Sequence, residues 1–134
     1  MKQLNVYLAF PGTCEAALNF YKTCFGGEIT SMQRFGDSPV ESSEEHKQKI
    51  MHAEFKADGM FFMASDGMPG QPVPSGEMVT LSINLTDGAE QERIFNTLAE
   101  GGKVTMPLGE TFWGAVFGMV TDKFGIPWML NRDV

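Results

Sequence analysis

The chain has 134 residues, a length that fits one domain and leaves no room for two large independent ones. Hydrophobic residues make up 43% and charged residues 20%, the make-up of a globular protein with its own core. Ten Lys and Arg against 17 Asp and Glu leave a net charge of -7, which speaks against a nucleic-acid partner, because phosphate binding needs clustered cations. No apolar run approaches the roughly 20 residues of a membrane span, and residues 1–10 begin a strand pattern instead of a signal peptide. The expected setting is cytoplasmic, with no membrane partner.

Residues 3–10 (QLNVYLAF) alternate and predict a strand. Beyond Gly12, the residues Cys14, Ala17, Leu18, Tyr21, Cys24 and Phe25 recur at helical spacing, with Thr13 as the N-cap and Gly26-Gly27 as the stop. Both cysteines fall on that stripe about 15 Å apart, given 1.5 Å of rise per residue. That is far beyond disulfide reach, so they are expected to be packing residues. Strand-like runs follow at 28–35, 48–56 and 60–66, the last two joined by the hairpin signal Asp58-Gly59. The polar stretch 36–47 between them predicts a mobile loop with Val40 as its only apolar anchor. His46, beside Glu44 and Glu45, is expected to be a solvated loop histidine.

Residues 67–76 hold three prolines and three glycines, which excludes a central strand or a helix interior and marks the best internal boundary. The same order then recurs. A strand is expected at 78–85, then a helix at 88–100 opened by Asp87 with Glu90 three residues on. Gly101-Gly102 ends that helix, and strands follow near 103–107, 115–121 and 126–131.

The recurrence reaches individual residues. Gly26-Gly27-Glu28-Ile29-Thr30 is answered by Gly101-Gly102-Lys103-Val104-Thr105, and Gly59-Met60-Phe61-Phe62-Met63 by Gly125-Ile126-Pro127-Trp128-Met129. Two copies at this spacing are too few for a solenoid. They predict an α+β chain of two βαβββ modules within a single domain spanning residues 1–134. Module one covers about 1–66, the Pro/Gly linker 67–76, and module two about 77–134.

Paired βαβββ modules are the mark of the vicinal oxygen chelate superfamily, which includes glyoxalase I, bleomycin resistance proteins and extradiol dioxygenases. The opening Tyr7-Leu8-Ala9-Phe10-Pro11-Gly12, followed by Ala16-Ala17-Leu18-Asn19-Phe20-Tyr21 and Phe25-Gly26-Gly27, resembles its PhnB-like branch. So do Met63-Ala64-Ser65-Asp66, Glu110-Thr111-Phe112-Trp113-Gly114, Phe117-Gly118 and the run Thr121-Asp122-Lys123-Phe124-Gly125-Ile126-Pro127-Trp128-Met129. The resemblance spans essentially the whole chain and implies that the modules form cupped mixed sheets.

Metal enzymes of the superfamily carry His or Glu ligands on the first and last strands of each module. Those positions fall near Asn5, Met63, Met78 and Met129, and a shift of one reaches Leu4, Val6, Phe62, Ala64, Glu77, Val79, Trp128 and Leu130. Among the shifted positions only Glu77 offers an oxygen suited to a hard cation, and three of the four central positions are methionines, so no metal or other cofactor is expected. PhnB-like sequences often carry the label 3-demethylubiquinone methyltransferase. The chain has no GxGxxG after a strand, no P-loop and no GxSxG elbow, which puts that label in doubt.

The resemblance implies that each sheet packs one face on a helix and turns the other to a cavity. Alternation sorts the residues between the two faces, and by itself also allows the polar faces to meet solvent. In 78–85, Val79, Leu81, Ile83 and Leu85 are expected on the helix side and Thr80, Ser82 and Asn84 on the other. In 48–56, Met51, Ala53 and Phe55 form the apolar face, leaving His52 and Glu54 together on the opposite one. Met63 and Met129 are expected beside them, with Phe61 and Ser65 next to Met63. Phe112 and Trp113 could stack on a flat ligand or serve as interface packing, whereas Trp128 should point into the core.

The expected ligand-binding set is therefore Tyr7, His52, Glu54, Met63, Ser65, Thr80, Ser82, Phe112, Trp113 and Met129. The first functional reading is a metal-free binding protein with an apolar, methionine-rich cavity for a small-molecule ligand. The second is a metal-dependent lyase, isomerase or dioxygenase using His52, Glu54 and Glu77. A third is a metal-free enzyme with His52 and Glu54 as catalytic base pair. The residues leave open whether a reaction is catalysed and on what. By the resemblance, the protein should be a homodimer.

Overall fold

The computed structural model describes residues 2–39, 42–74, 76 and 78–134. The chain divides into two compact units, Met1–Pro74 and Ser75–Val134, and each repeats one architecture. In the first unit, β1 (Val6–Ala9) leads into α1 (Cys14–Phe25), then β2 (Glu28–Arg34), β3 (Ile50–Ala57) and β4 (Met60–Ser65). The second unit runs β5 (Leu81–Asn84), α2 (Gly88–Ala99), β6 (Lys103–Glu110), β7 (Ala115–Thr121) and β8 (Pro127–Asp133). The sheet orders are β1-β4-β3-β2 and β5-β8-β7-β6, with β1 parallel to β4 and β5 parallel to β8. These are two four-stranded mixed sheets, each with one helix: the α+β fold of paired βαβββ modules.

The glycine pairs explain why the repeat survives at residue level. A Cβ at Gly27 would run into the backbone of Lys56 and Ala57, and one at Gly102 into that of Thr121 and Asp122. In both modules the strand leaving the helix passes too close to its neighbour for any side chain.

On the helix side of module one, Cys14, Ala17, Leu18, Tyr21 and Cys24 are fully buried, as the helical spacing predicts. Tyr21 meets Phe62 edge-on at 5.8 Å, and Phe62 stacks on Phe55 at 5.1 Å. In module two, Ile94, Phe95 and Leu98 of α2 are buried, along with Val120, Trp128 and Leu130 of the sheet. Trp128 points into this core and donates its ring N–H to Asp122 at 2.9 Å. Asp122 also accepts from the backbone of Phe124 and Ile126, which fixes the β7–β8 turn.

Several expectations need correction. Thr13 precedes α1, but its side chain makes no capping bond. Asp66, just past β4, does that work: Oδ1 accepts from Cys14 N and Oδ2 from Ile50 N, both at 2.8 Å. A tertiary carboxylate has replaced the local cap. Asp87, by contrast, caps α2 as expected, accepting from Glu90 N at 3.2 Å.

Strand β5 starts only at Leu81, and Val79 is 70% exposed instead of packing on the helix side. In β3 the register against β2 shifts between His52–Gln33 and Ile50–Arg34. The shift leaves Met51 half-buried and hands the core position to Ile50.

The two ends of the 36–47 stretch are tied together. Phe35 is buried within a short 3-10 turn, and its backbone and that of Gly36 bond to Lys49 and Lys47. His46 is not a freely solvated loop residue: its ring packs 4.5 Å from Phe35, and its Nε2 is shielded from solvent. Val40 and Glu41 lie outside the described residues.

Candidate functional site

Sheet topology gathers a connected polar row on the face of module one opposite α1. Tyr7 enters from edge strand β1, while His52 and Glu54 sit two apart on β3 and so share a face. The Tyr7 hydroxyl lies 2.9 Å from His52 Nδ1, and His52 Nε2 lies 3.1 Å from Glu54 Oε2. With an ionised Glu54 and a neutral imidazole, Nε2 donates to Glu54 and Nδ1 accepts from the Tyr7 hydroxyl. Tyr7 is 50% exposed, so this end of the row is reachable by a ligand.

Register explains how residues from non-adjacent strands meet. Tyr7 is paired with Met63 across β1–β4, and Met63 with Glu54 across β4–β3. His52 lies one pleat farther along β3, so the tyrosine ring slants across β4 to reach it, the two ring centroids being 5.6 Å apart. Ser65 stands two residues beyond Met63 on β4, and its small hydroxyl side chain leaves room for that crossing. Burial pushes the Tyr7 phenol above its ordinary range, offset in part by its hydrogen bond with Ser65. Ser65 is itself fixed by accepting from Gly67 N at 2.9 Å.

The polar face extends onto β2, where Ser31 opposes Glu54 and Gln33 opposes His52. Simple alternation would put Ile29, Ser31 and Gln33 on one face. The irregularity between Ile29 and Ser31 instead leaves Ile29 opposite the core residue Phe55 and turns the other two to the open side. The chain of β2 carries no local signal for that bulge.

Module two occupies the corresponding positions differently. Ser82 pairs with Met129, Met129 with Met119 and Met119 with Met106, a row of three thioethers ending on one hydroxyl. Phe117 is paired with Asn131, which bonds to Asn84 and Asp133. Phe112 and Trp113 lie in the β6–β7 turn: Phe112 is 98% exposed, and Trp113 packs edge-on against Phe117 at 5.7 Å. Thr80 is half-buried ahead of β5 and belongs to no strand. Of the ten expected residues, then, Tyr7, His52, Glu54, Met63 and Ser65 come together, while Ser82 and Met129 pair within the other module. Module two also has a cleft of about 430 Å³ between α2 and β6, lined by Gln91, Phe95, Val104, Leu108, Val116 and Arg132.

The residues at the superfamily's metal-ligand positions do not fit a hard cation. Met63 and Met129 offer only thioether sulfur, and Met78 is 99% exposed. Glu77 lies outside the described residues, and among those described no three His, Cys, Asp or Glu side chains converge on one point. At the β1–α1 turn, the first backbone N–H of α1 is held by the Asp66 carboxylate. Cys14 is buried, and its thiol is pushed up to about 12 by that burial and by the nearby Asp66 and Glu15 charges. It is not a nucleophile at neutral pH.

The family model described as 3-demethylubiquinone-9 3-methyltransferase matches residues 2–131. Protein YjdN of Escherichia coli is 37% identical over 139 residues, covering 96% of this chain and 93% of the relative. The crystal structure of protein PA1353 from Pseudomonas aeruginosa superposes with a TM-score of 0.90 at 46% identity, covering 99% of this chain and 98% of that one. The PhnB protein from Bacillus cereus superposes with a TM-score of 0.83 at 29% identity, over 98% of this chain and 99% of that one. At the level of fold alone, a glyoxylase/bleomycin resistance protein/dioxygenase domain from Frankia gives a TM-score of 0.68 at 13% identity, over 100% of this chain and 98% of that one. The chain belongs to the PhnB-like family described as 3-demethylubiquinone-9 3-methyltransferase, built on the glyoxalase/bleomycin resistance fold.

Proposed function

We propose that this protein binds a small, partly apolar molecule on the open sheet face of module one and needs no metal to do so. The supporting observation is the Tyr7–His52–Glu54 row, polar and half-exposed, set directly beside Met63. Hydrogen-bonded groups that stay accessible on a sheet face supply orientation, while a flexible thioether accommodates varied apolar shapes. Phe61, next but one to Met63 on the same strand, is exposed on that face and widens the apolar part. A homodimer remains part of the proposal, supported by the exposed Val104, Met106, Phe112 and Trp113 on edge strand β6 and its turn.

A thermal-shift screen of small aromatic and aliphatic carbonyl compounds tests the reading. A binder at 100 times its Kd stabilises by about 2.7 kcal/mol, a shift of several degrees for a chain of this size. His52→Phe/Glu54→Met, which copies the module-two residues, should abolish the shift while leaving the ligand-free melting temperature within about 2 °C. Shifts equal in the wild type and this variant would refute the site.

A further inference from the structure

Resting on the binding site above, we propose that Tyr7 is a nucleophile toward activated acyl groups, with His52 as its general base and Glu54 orienting the imidazole. A nucleophile is recognised by a base within hydrogen-bond reach and a third group that orients the base. Here those separations are 2.9 and 3.1 Å, and the nucleophile is the exposed end of the row. The buried Cys14 offers no rival.

The chemistry of a phenol sets the substrate class. An aryl ester of Tyr7 forms only if the group it displaces is no more basic than a phenolate, whose conjugate acid has a pKa near about 10. Thioesters and aryl esters meet that condition, whereas alkyl esters and amides do not. As the Tyr7 oxygen bonds to the acyl carbon, its proton passes to His52 Nδ1. The bond from acyl carbon to leaving group breaks, and the imidazolium returns that proton to the departing thiolate or phenolate. Water then attacks the acyl-tyrosine and loses its proton to His52, and the Tyr7 phenolate leaves and takes it back. The net change is acyl donor plus water to carboxylic acid plus thiol or phenol. Met63 and Phe61 lie beside the row to receive an apolar acyl or leaving group.

4-Nitrophenyl acetate is the probe for the chemistry and 4-nitroacetophenone, a ketone that cannot transfer its acyl group, the probe for binding. Rapid-quench mass spectrometry should find one acetyl group on the peptide containing Tyr7, with matching 4-nitrophenol release. Tyr7→Phe should lose it, and His52→Gln should slow acetylation about 100-fold with Tyr7 intact. Acetyl groups confined to lysines, or a rate unchanged in His52→Gln, would overturn the proposal. If 4-nitroacetophenone stabilises the protein while Tyr7 stays unmodified, the nucleophile fails and the binding reading stands. If neither probe acts on the folded protein, both fail for this class of compound.

Discussion

The two modules agree where their helices pack and differ where they do not. Both thread four strands in the same order, admit their second strand past a glycine with no space for a Cβ, and bury one apolar helix stripe. On the opposite face, Tyr7, His52 and Glu54 of module one stand where module two has Ser82, Phe117 and Met119. The helix-side faces of the two copies match, while the opposite faces carry different side chains.

The first test strikes the shared half of the comparison. Trp128 is buried, and its counterpart by register in module one is Phe62. Trp128→Ala should cost about 3–5 kcal/mol in urea unfolding, from the lost packing and the cavity left behind. A cost below about 1 kcal/mol would mean that the second core is not organised around it.

Asp66→Ala comes next. The two modules close differently: Asp122 ties a turn to a tryptophan, whereas Asp66 ties the first backbone N–H of α1 to the first of β3. Removing it strands two buried donors, so a loss on the order of 2–4 kcal/mol is expected, read as a lower urea midpoint. An effect no larger than that of an exposed aspartate such as Asp58 would contradict the role given to it.

The smallest contrast concerns the helix starts. Asp87→Ala should cost about 1 kcal/mol and Thr13→Ala only a few tenths, since one side chain caps its helix and the other does not. Equal costs would erase that difference between the modules.

Local pattern carried most of the fold. Helical spacing from Cys14 to Phe25, the Asp58-Gly59 hairpin and the Gly-Gly repeats each act over a few residues, and each led to the right element. Where partners lie far apart in the chain, pattern failed. Asp66 displaced Thr13 as the cap from 52 residues away, and a bulge moved Ile50 into the place alternation gave to Met51. His52 and Glu54 were legible as a same-face pair, because a period of two is local. The bond from His52 to Tyr7 was not, since it depends on β4 lying between β1 and β3. The Phe35 packing of His46 was hidden in the same way, in a segment whose composition reads as polar loop.

The asymmetry of the open faces can be measured directly with methyl-labelled methionine. The chain holds ten methionines, among them Met63 beside the polar row and Met106, Met119 and Met129 in the opposing register row. Titrating the tightest ligand from the thermal-shift screen should move the Met63 methyl signal first, and His52→Phe/Glu54→Met should abolish that movement. Shifts at Met119 and Met129 with Met63 unmoved would place binding on module two and contradict the account.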